Sequence, residues 1–220
     1  MIIAIDGPAG AGKSTVAKIL AEKIGCTYIN TGAMYRAVAY KLLQIGGKFT
    51  EEDLKNILEN ISISLDKDKV LLDGEDISDK IKDEKVSKMA SKIATIKIVR
   101  EKLVEKQRQM AKEKECVVME GRDIGTVVFP NADIKIFLTA TAEERAKRRY
   151  EELKAKGFNI PYEHLLEKIK ERDKIDSTRK IAPLKPTKEH IVIDTTDKSI
   201  EEVIEEITDI IKKVNLEKIN

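Results

Sequence analysis

The apolar positions of this chain fall into short runs separated by helical patterns. Ile2, Ile3, Ala4 and Ile5 are continuously apolar, as in a strand buried on both faces of a parallel sheet. Gly7 to Gly12 interrupts any regular element. From Lys13, the residues Val16, Ala17, Ile19, Leu20 and Ile24 recur at helical spacing, and Gly25 suits the helix end. Thr27-Tyr28-Ile29 predicts a second strand, and Met34 to Ile45 a helix ending at Gly46-Gly47. Thr50-Glu51-Glu52-Asp53 has capping-box form and opens a helix to about Asn60. The texture then changes. Ile61-Ser62-Ile63-Ser64-Leu65 alternates, a polar turn follows, and Val70-Leu71-Leu72 completes a hairpin pattern.

Residues 61–95 therefore read as a small inserted subdomain, followed by a helix over roughly 96–114. Cys116-Val117-Val118-Met119 is a further fully apolar strand run, and Ile134, Ile136, Phe137 and Leu138 make the next. Thr141-Ala142-Glu143-Glu144 opens a helix to about Lys156. Gly157 to Pro161 breaks it, and a helix over about 162–174 follows. His190 to Asp194 is the last strand, and Ser199-Ile200-Glu201-Glu202 caps a final amphipathic helix. Five apolar strands separated by helices predict an α/β fold: a five-stranded parallel sheet with helices on both faces, in a single domain of residues 1–220.

Composition narrows the partners. The chain has 220 residues, with 41 Lys+Arg against 39 Asp+Glu, and this balance argues against a general nucleic-acid binder. No apolar run approaches the roughly 18 residues that span a bilayer, and the N-terminus lacks a basic signal-peptide region. The two cysteines, Cys26 and Cys116, form no C-x-x-C, and with His164 and His190 they make no recognisable zinc site. The expectation is a cytoplasmic protein whose cysteines are reduced, buried apolar fillers and whose histidines are structural.

Gly7-Pro8-Ala9-Gly10-Ala11-Gly12-Lys13-Ser14 matches G-x-x-x-x-G-K-[ST] at every fixed position, between a buried strand and a helix. Glycines let backbone N–H groups turn towards phosphate oxygens, and the helix N-terminus points its positive end at the anion. Lys13 would reach the β- and γ-phosphates, the Ser14 hydroxyl would ligate Mg²⁺, and Thr15 completes the ATP-binding stretch. A P-loop alone leaves several classes open. The chain lacks the Asn-Lys-x-Asp motif of a GTPase, and its third strand ends in Glu120-Gly121-Arg122-Asp123. A kinase of some small acceptor, a non-catalytic nucleotide-binding regulatory module and a nucleic-acid-associated ATPase remain as alternatives at this point.

Four blocks narrow the choice. Gly7 to Thr15, Thr31-Gly32-Ala33-Met34-Tyr35-Arg36, Glu120 through Pro130, and Glu171-Arg172-Asp173 through Ala182-Pro183-Leu184 resemble the bacterial cytidylate kinases over nearly the whole chain. The resemblance implies a P-loop kinase core carrying a nucleoside-monophosphate-binding insert, matched to residues 61–95, and a short lid at about 148–162. It implies transfer of the ATP γ-phosphate to CMP or dCMP. With the composition excluding nucleic acid and membrane as partners, the expectation is a monomer acting on these nucleotides. Carried over by motif, Arg36, Arg122 and Arg179 would hold the monophosphate. Ser91, Arg100 and Asp123 would read the cytosine, and Arg172 and Asp176 would contact the ribose. Arg148 and Arg149 match lid arginines near the transferring phosphoryl, acting with Lys13. Thr31 keeps a hydroxyl where some family members have Ser. The guanidinium fork suits a monophosphate because it can bind two oxygens at once. The attacking group is an already anionic phosphate oxygen, so no general base is needed and catalysis is alignment with charge neutralisation.

Overall fold

The computed structural model describes the backbone of residues 1–219 and the side chains of residues 1–215. The chain divides into two units, Met1–Tyr28 with Glu115–Asn220, and Ile29–Lys114.

The first unit is built on strands β1 (Ile2–Asp6), β6 (Val117–Gly121), β7 (Ile134–Thr139) and β8 (Ile191–Asp194), and β2 (Thr27–Asn30) begins in it. The five form one parallel sheet in the order β2-β6-β1-β7-β8. Asp6 is in register with Gly121 on one side and Phe137 on the other, so the central strands end at one level. That common carboxyl edge is where open α/β sheets bind ligands. The apolar runs bury completely: Ile3, Ala4, Ile5, Val117, Val118 and Met119 have no solvent exposure. Helices α1 (Lys13–Ile24) and α8 (Ile200–Ile219) complete the same core through Val16, Leu20, Val203 and Ile207. Helices α6 (Ala142–Ala155) and α7 (Tyr162–Thr178) pack on one another.

β8 differs from the other predicted strands. It begins at Ile191, one residue after the expected start, and as an edge strand it leaves Ile191 and Val192 exposed.

The second unit contains helices α2 (Thr31–Gln44), α3 (Glu51–Asn60), α4 (Glu84–Ile93) and α5 (Lys97–Lys112) and an antiparallel sheet of β3 (Ile63–Asp66), β4 (Lys69–Leu72) and β5 (Glu75–Asp76). The predicted hairpin is the β3–β4 pair, with Ile63 opposite Leu72. Met34, Val38, Leu42, Leu58, Ile77, Ile93 and Leu103 build its core. The capping box at Thr50 forms as the sequence predicts: Thr50 Oγ1 accepts the Asp53 N–H and Asp53 accepts the Thr50 N–H at 2.7 Å. Thr141 and Ser199 likewise cap α6 and α8.

The cysteines correct the sequence expectation. Cys26 and Cys116 are half-buried and joined by a disulfide, with their Cα atoms 4.8 Å apart. They lie just before the adjacent strands β2 and β6, and the Thr27 N–H donates to the Cys116 carbonyl at 2.9 Å. Strand pairing makes neighbours of residues 90 positions apart in sequence. Among the described residues, no helix is long and apolar enough to cross a membrane.

Candidate active site

The loop between β1 and α1 folds tightly against its own sheet. Gly7 has φ 155°, and a Cβ there would lie 2.1 Å from the Leu138 carbonyl oxygen, so only glycine fits. Lys13, the first residue of α1, is buried, and its ammonium donates to the Pro8 carbonyl at 2.8 Å. Burial, and next the Arg122 guanidinium, push the Lys13 pKa down to about 7; Arg172 adds to this, while Glu120 and Asp176 oppose it. A lysine held in that state gains a counter-charge when a polyphosphate enters. Ser14 and Thr15 are exposed on the first helical turn.

A second cluster in the same unit gathers around Asp176, whose side chain is only 4% exposed. Arg122 Nε donates to Asp176 Oδ2 at 3.1 Å, Arg179 Nη1 lies 3.6 Å from Oδ1, and Arg172 Nε lies 4.0 Å from Oδ2. Burial raises the Asp176 pKa, but the three guanidiniums outweigh it and hold the carboxyl below its ordinary range. Arg179 is fixed further by donating from Nε to the Ala182 carbonyl at 2.7 Å. Local backbone explains the placement. α7 presents Arg172 and Asp176 one turn apart, then ends, and Arg179 turns back in the extended conformation of the helix C-cap. Three guanidiniums thus share one buried carboxylate.

Arg122 and Asp123 follow β6 directly. Asp123 is buried, and its carbonyl accepts N–H groups from Val127 and Val128 to close a π-helical turn over Ile124–Val128.

Arg148 and Arg149 separate. Arg148 donates to Glu144 at 3.1 Å, to Thr195 Oγ1 at 3.1 Å and to the Thr195 carbonyl. Thr195 Oγ1 in turn lies 3.4 Å from the Ala11 carbonyl of the loop. Arg149 is on the surface, paired with Glu152 at 2.8 Å.

The sequence reading left Arg145 without a role. The structure buries it against the loop: Nε donates to the Ala140 carbonyl, Nη1 to the Ala9 carbonyl at 3.1 Å, and the fork holds Asp173 at 2.9 and 2.6 Å. Its position three residues before Arg148 on one helix was the available signal; the Asp173 partner was not visible in sequence.

The other four predicted residues lie in the second unit. Thr31 is buried at the start of α2, where Asn30 caps the helix by accepting the Ala33 N–H at 3.0 Å. The Arg36 guanidinium folds back over Gly32, where a Cβ would sit 3.6 Å from Nη1. Arg100 is 4% exposed, donates to the Ala94 carbonyl at 2.8 Å and stacks 5.6 Å from the Tyr35 ring centre. Ser91 is half-buried on α4, which packs against α2.

The sequence model of the cytidylate kinase family matches residues 3–213. The chain belongs to the cytidylate kinase family. The cytidylate kinase of Caldicellulosiruptor saccharolyticus is 52% identical to it over 217 residues, covering 96% of each chain. That of Caldanaerobacter subterraneus subsp. tengcongensis is 54% identical over 212 residues, covering 96% of this chain and 94% of that one. Among solved structures, shikimate kinase from Bacteroides thetaiotaomicron matches with a TM-score of 0.50 at 11% identity, covering 96% of this chain and 98% of that chain. This last likeness is one of fold.

Proposed function

We propose that this member of the cytidylate kinase family transfers the γ-phosphoryl group of ATP to CMP or dCMP, giving ADP and CDP or dCDP. The observation that carries the reading is the pairing, in one unit, of the phosphate loop around Lys13 with three arginines on Asp176. Two anionic substrates need two cationic sites. The loop residues Gly7 to Thr15 take ATP. Arg122 and Arg179, with Arg36, take the monophosphate; Asp123, with Ser91 and Arg100, reads the base; Thr31 joins this CMP-binding set. Arg172 and Asp176 contact the ribose. An Asp123 carboxylate accepts from the exocyclic amine of cytosine, whereas uracil offers an acceptor there, so the site favours cytidine. Lys13 neutralises charge developing on the transferring phosphoryl. Arg148 and Arg149 do the same after exchanging their present partners.

The residues fit Mg²⁺ as a metal that arrives with ATP. The Ser14 hydroxyl is exposed at the end of the loop, and among the described residues no cluster of three or more His, Cys, Asp or Glu forms a separate cage. When bound, the ion neutralises β- and γ-phosphate charge. Residues 61–95 act as the acceptor-binding insert and 148–162 as a lid over one kinase domain. The enzyme works as a monomer without nucleic acid or membrane; the Cys26–Cys116 disulfide removes the reduced-thiol ground on which a cytoplasmic setting was expected.

Coupled ADP-release assays with ATP-Mg²⁺ and each nucleoside monophosphate test this. CMP and dCMP should be the preferred acceptors; preference for AMP, GMP or dTMP refutes the reading.

A further inference from the structure

Asp6 is the last residue of β1 and stands directly before Gly7 of the phosphate loop. Its side chain is not aimed at the loop. It is 1% exposed, and its two oxygens each accept one backbone N–H: Oδ1 from Ile124 and Oδ2 from Gly125, both at 2.8 Å. These are the first two residues of the π-helical turn, immediately after Arg122-Asp123. A buried carboxylate with both oxygens committed to successive N–H groups fixes the direction of that turn.

A second residue fixes the carboxylate. His190 has a fully buried side chain, with Nε2 3.4 Å from Asp6 Oδ2. Its Nδ1 accepts the Thr187 backbone N–H at 3.1 Å, which assigns the ring proton to Nε2, facing Asp6. The edge of the ring packs against Phe137 of β7, in register with Asp6. The ring also comes so close to Gly125 that a Cβ there would lie 2.8 Å from Nε2. Below the same turn, the Lys135 ammonium donates to the Pro130 carbonyl and pairs with Glu189, the neighbour of His190.

We propose that Asp6, held by His190, is a positioning residue for the acceptor substrate. It ties the strand that opens the phosphate loop to the turn that aims Arg122 and Asp123, and so sets the acceptor-binding groups against the donor cradle. The inference rests on the assignment of Arg122 and Asp123 to the acceptor. It adds two residues, 184 positions apart in sequence, that touch neither substrate.

Steady-state kinetics with CMP and ATP varied separately test it, at a temperature well below each variant's Tm. His190→Ala should raise the KM for CMP about threefold to tenfold, the size of one ordinary hydrogen bond, and leave the KM for ATP within about twofold. His190→Gln restores an N–H donor at similar reach and should recover most of the loss. Asp6→Asn sets an amide N–H₂ against one of the two backbone N–H groups and should have the larger effect on CMP. If Asp6→Asn does not fold, the His190 pair still decides. A lowered Tm with an unchanged KM for CMP in His190→Ala overturns the proposal, as does an equal rise in both KM values. Asp123→Ala separates the two levels. If it leaves the KM for CMP unchanged, the acceptor assignment fails. If it raises that KM while His190→Ala does not, only the positioning role fails.

Discussion

Loading the phosphate loop should make the protein take up a proton. Lys13 is buried beside Arg122 and Arg172, and its pKa is lowered to about 7. Only about half of the molecules therefore carry charge on Lys13 at pH 7. A bound triphosphate places several negative charges next to the amine and returns its pKa towards the ordinary range. The uptake per bound nucleotide is the missing fraction: about 0.1 proton at pH 6, about 0.5 at pH 7 and about 0.9 at pH 8. Titration calorimetry with a non-hydrolysable ATP analogue and Mg²⁺, in buffers of different ionisation enthalpy, measures this number at each pH. Lys13→Ala supplies the background from the nucleotide and all other groups. An uptake that does not rise with pH, or that survives in Lys13→Ala, would refute the reasoning. The same shift fixes a sign for the unliganded protein. Between about 7 and 10.5 the unfolded chain binds the extra proton, so Lys13 costs stability fully below the lower value. That cost fades as pH rises. It should be absent from the nucleotide-bound stability curve and so appear in the difference between the apo and bound curves, largest below about pH 7.

Four other outcomes follow from the geometry. The Cys26–Cys116 bond spans 90 residues, and the chain-entropy relation gives it about 4–5 kcal/mol. At about 2 °C per kcal/mol for a chain of this length, reduction should lower Tm by about 10 °C by scanning calorimetry, and thiol titration should count no free cysteine before reduction. Arg145→Ala strips the hydrogen bonds to Ala9 and Ala140 and leaves Asp173 unpaired; urea unfolding should show a loss of about 2–4 kcal/mol, with a raised KM for ATP. Asp176 is held below its ordinary pKa, so its contribution is complete above about pH 4 and disappears as pH falls through the lower folded value. Asp176→Asn should therefore flatten the acid limb of the stability curve. Thr50→Ala removes a capping-box acceptor and should cost about 1 kcal/mol, with kcat and both KM values unchanged.

What the sequence revealed was local or periodic. The strands β1 and β6 open as continuous apolar runs, and β7 is apolar apart from Lys135 and its terminal Thr139, because they bury on both faces; that pattern survives without knowledge of their neighbours. Thr50, Thr141 and Ser199 cap helices through contacts three residues away, so short spacing was enough. The phosphate loop was legible for the same reason. The clustering of Arg122, Arg172 and Arg179 on Asp176 was different. Their motif blocks nominated them, but periodicity gave no sign that they share one carboxylate. Contacts across the sheet were not legible at all. Nothing in the sequence around Asp6 points to its partners, Ile124, Gly125 and His190. His190 looked structural and belonged to a predicted strand; it lies just before β8 and grips the end of β1. Arg145 drew no role from the sequence because its partner Asp173 is 28 positions further on. The cysteines failed similarly, since their adjacency depends on the pairing of β2 with β6.

The Cys26–Cys116 disulfide also governs what a cut in the backbone can do. It lies just outside residues 29–114, so that whole segment is a loop closed by a covalent bond. A protease that cuts the backbone once anywhere inside the loop leaves two fragments still joined. The nicked protein would run as one species on a non-reducing gel and as two after thiol treatment, and its two fragments could not diffuse apart while the bond lasts. Topologically, the first unit is a continuous body with a ring attached, and the ring can be opened without dividing the molecule.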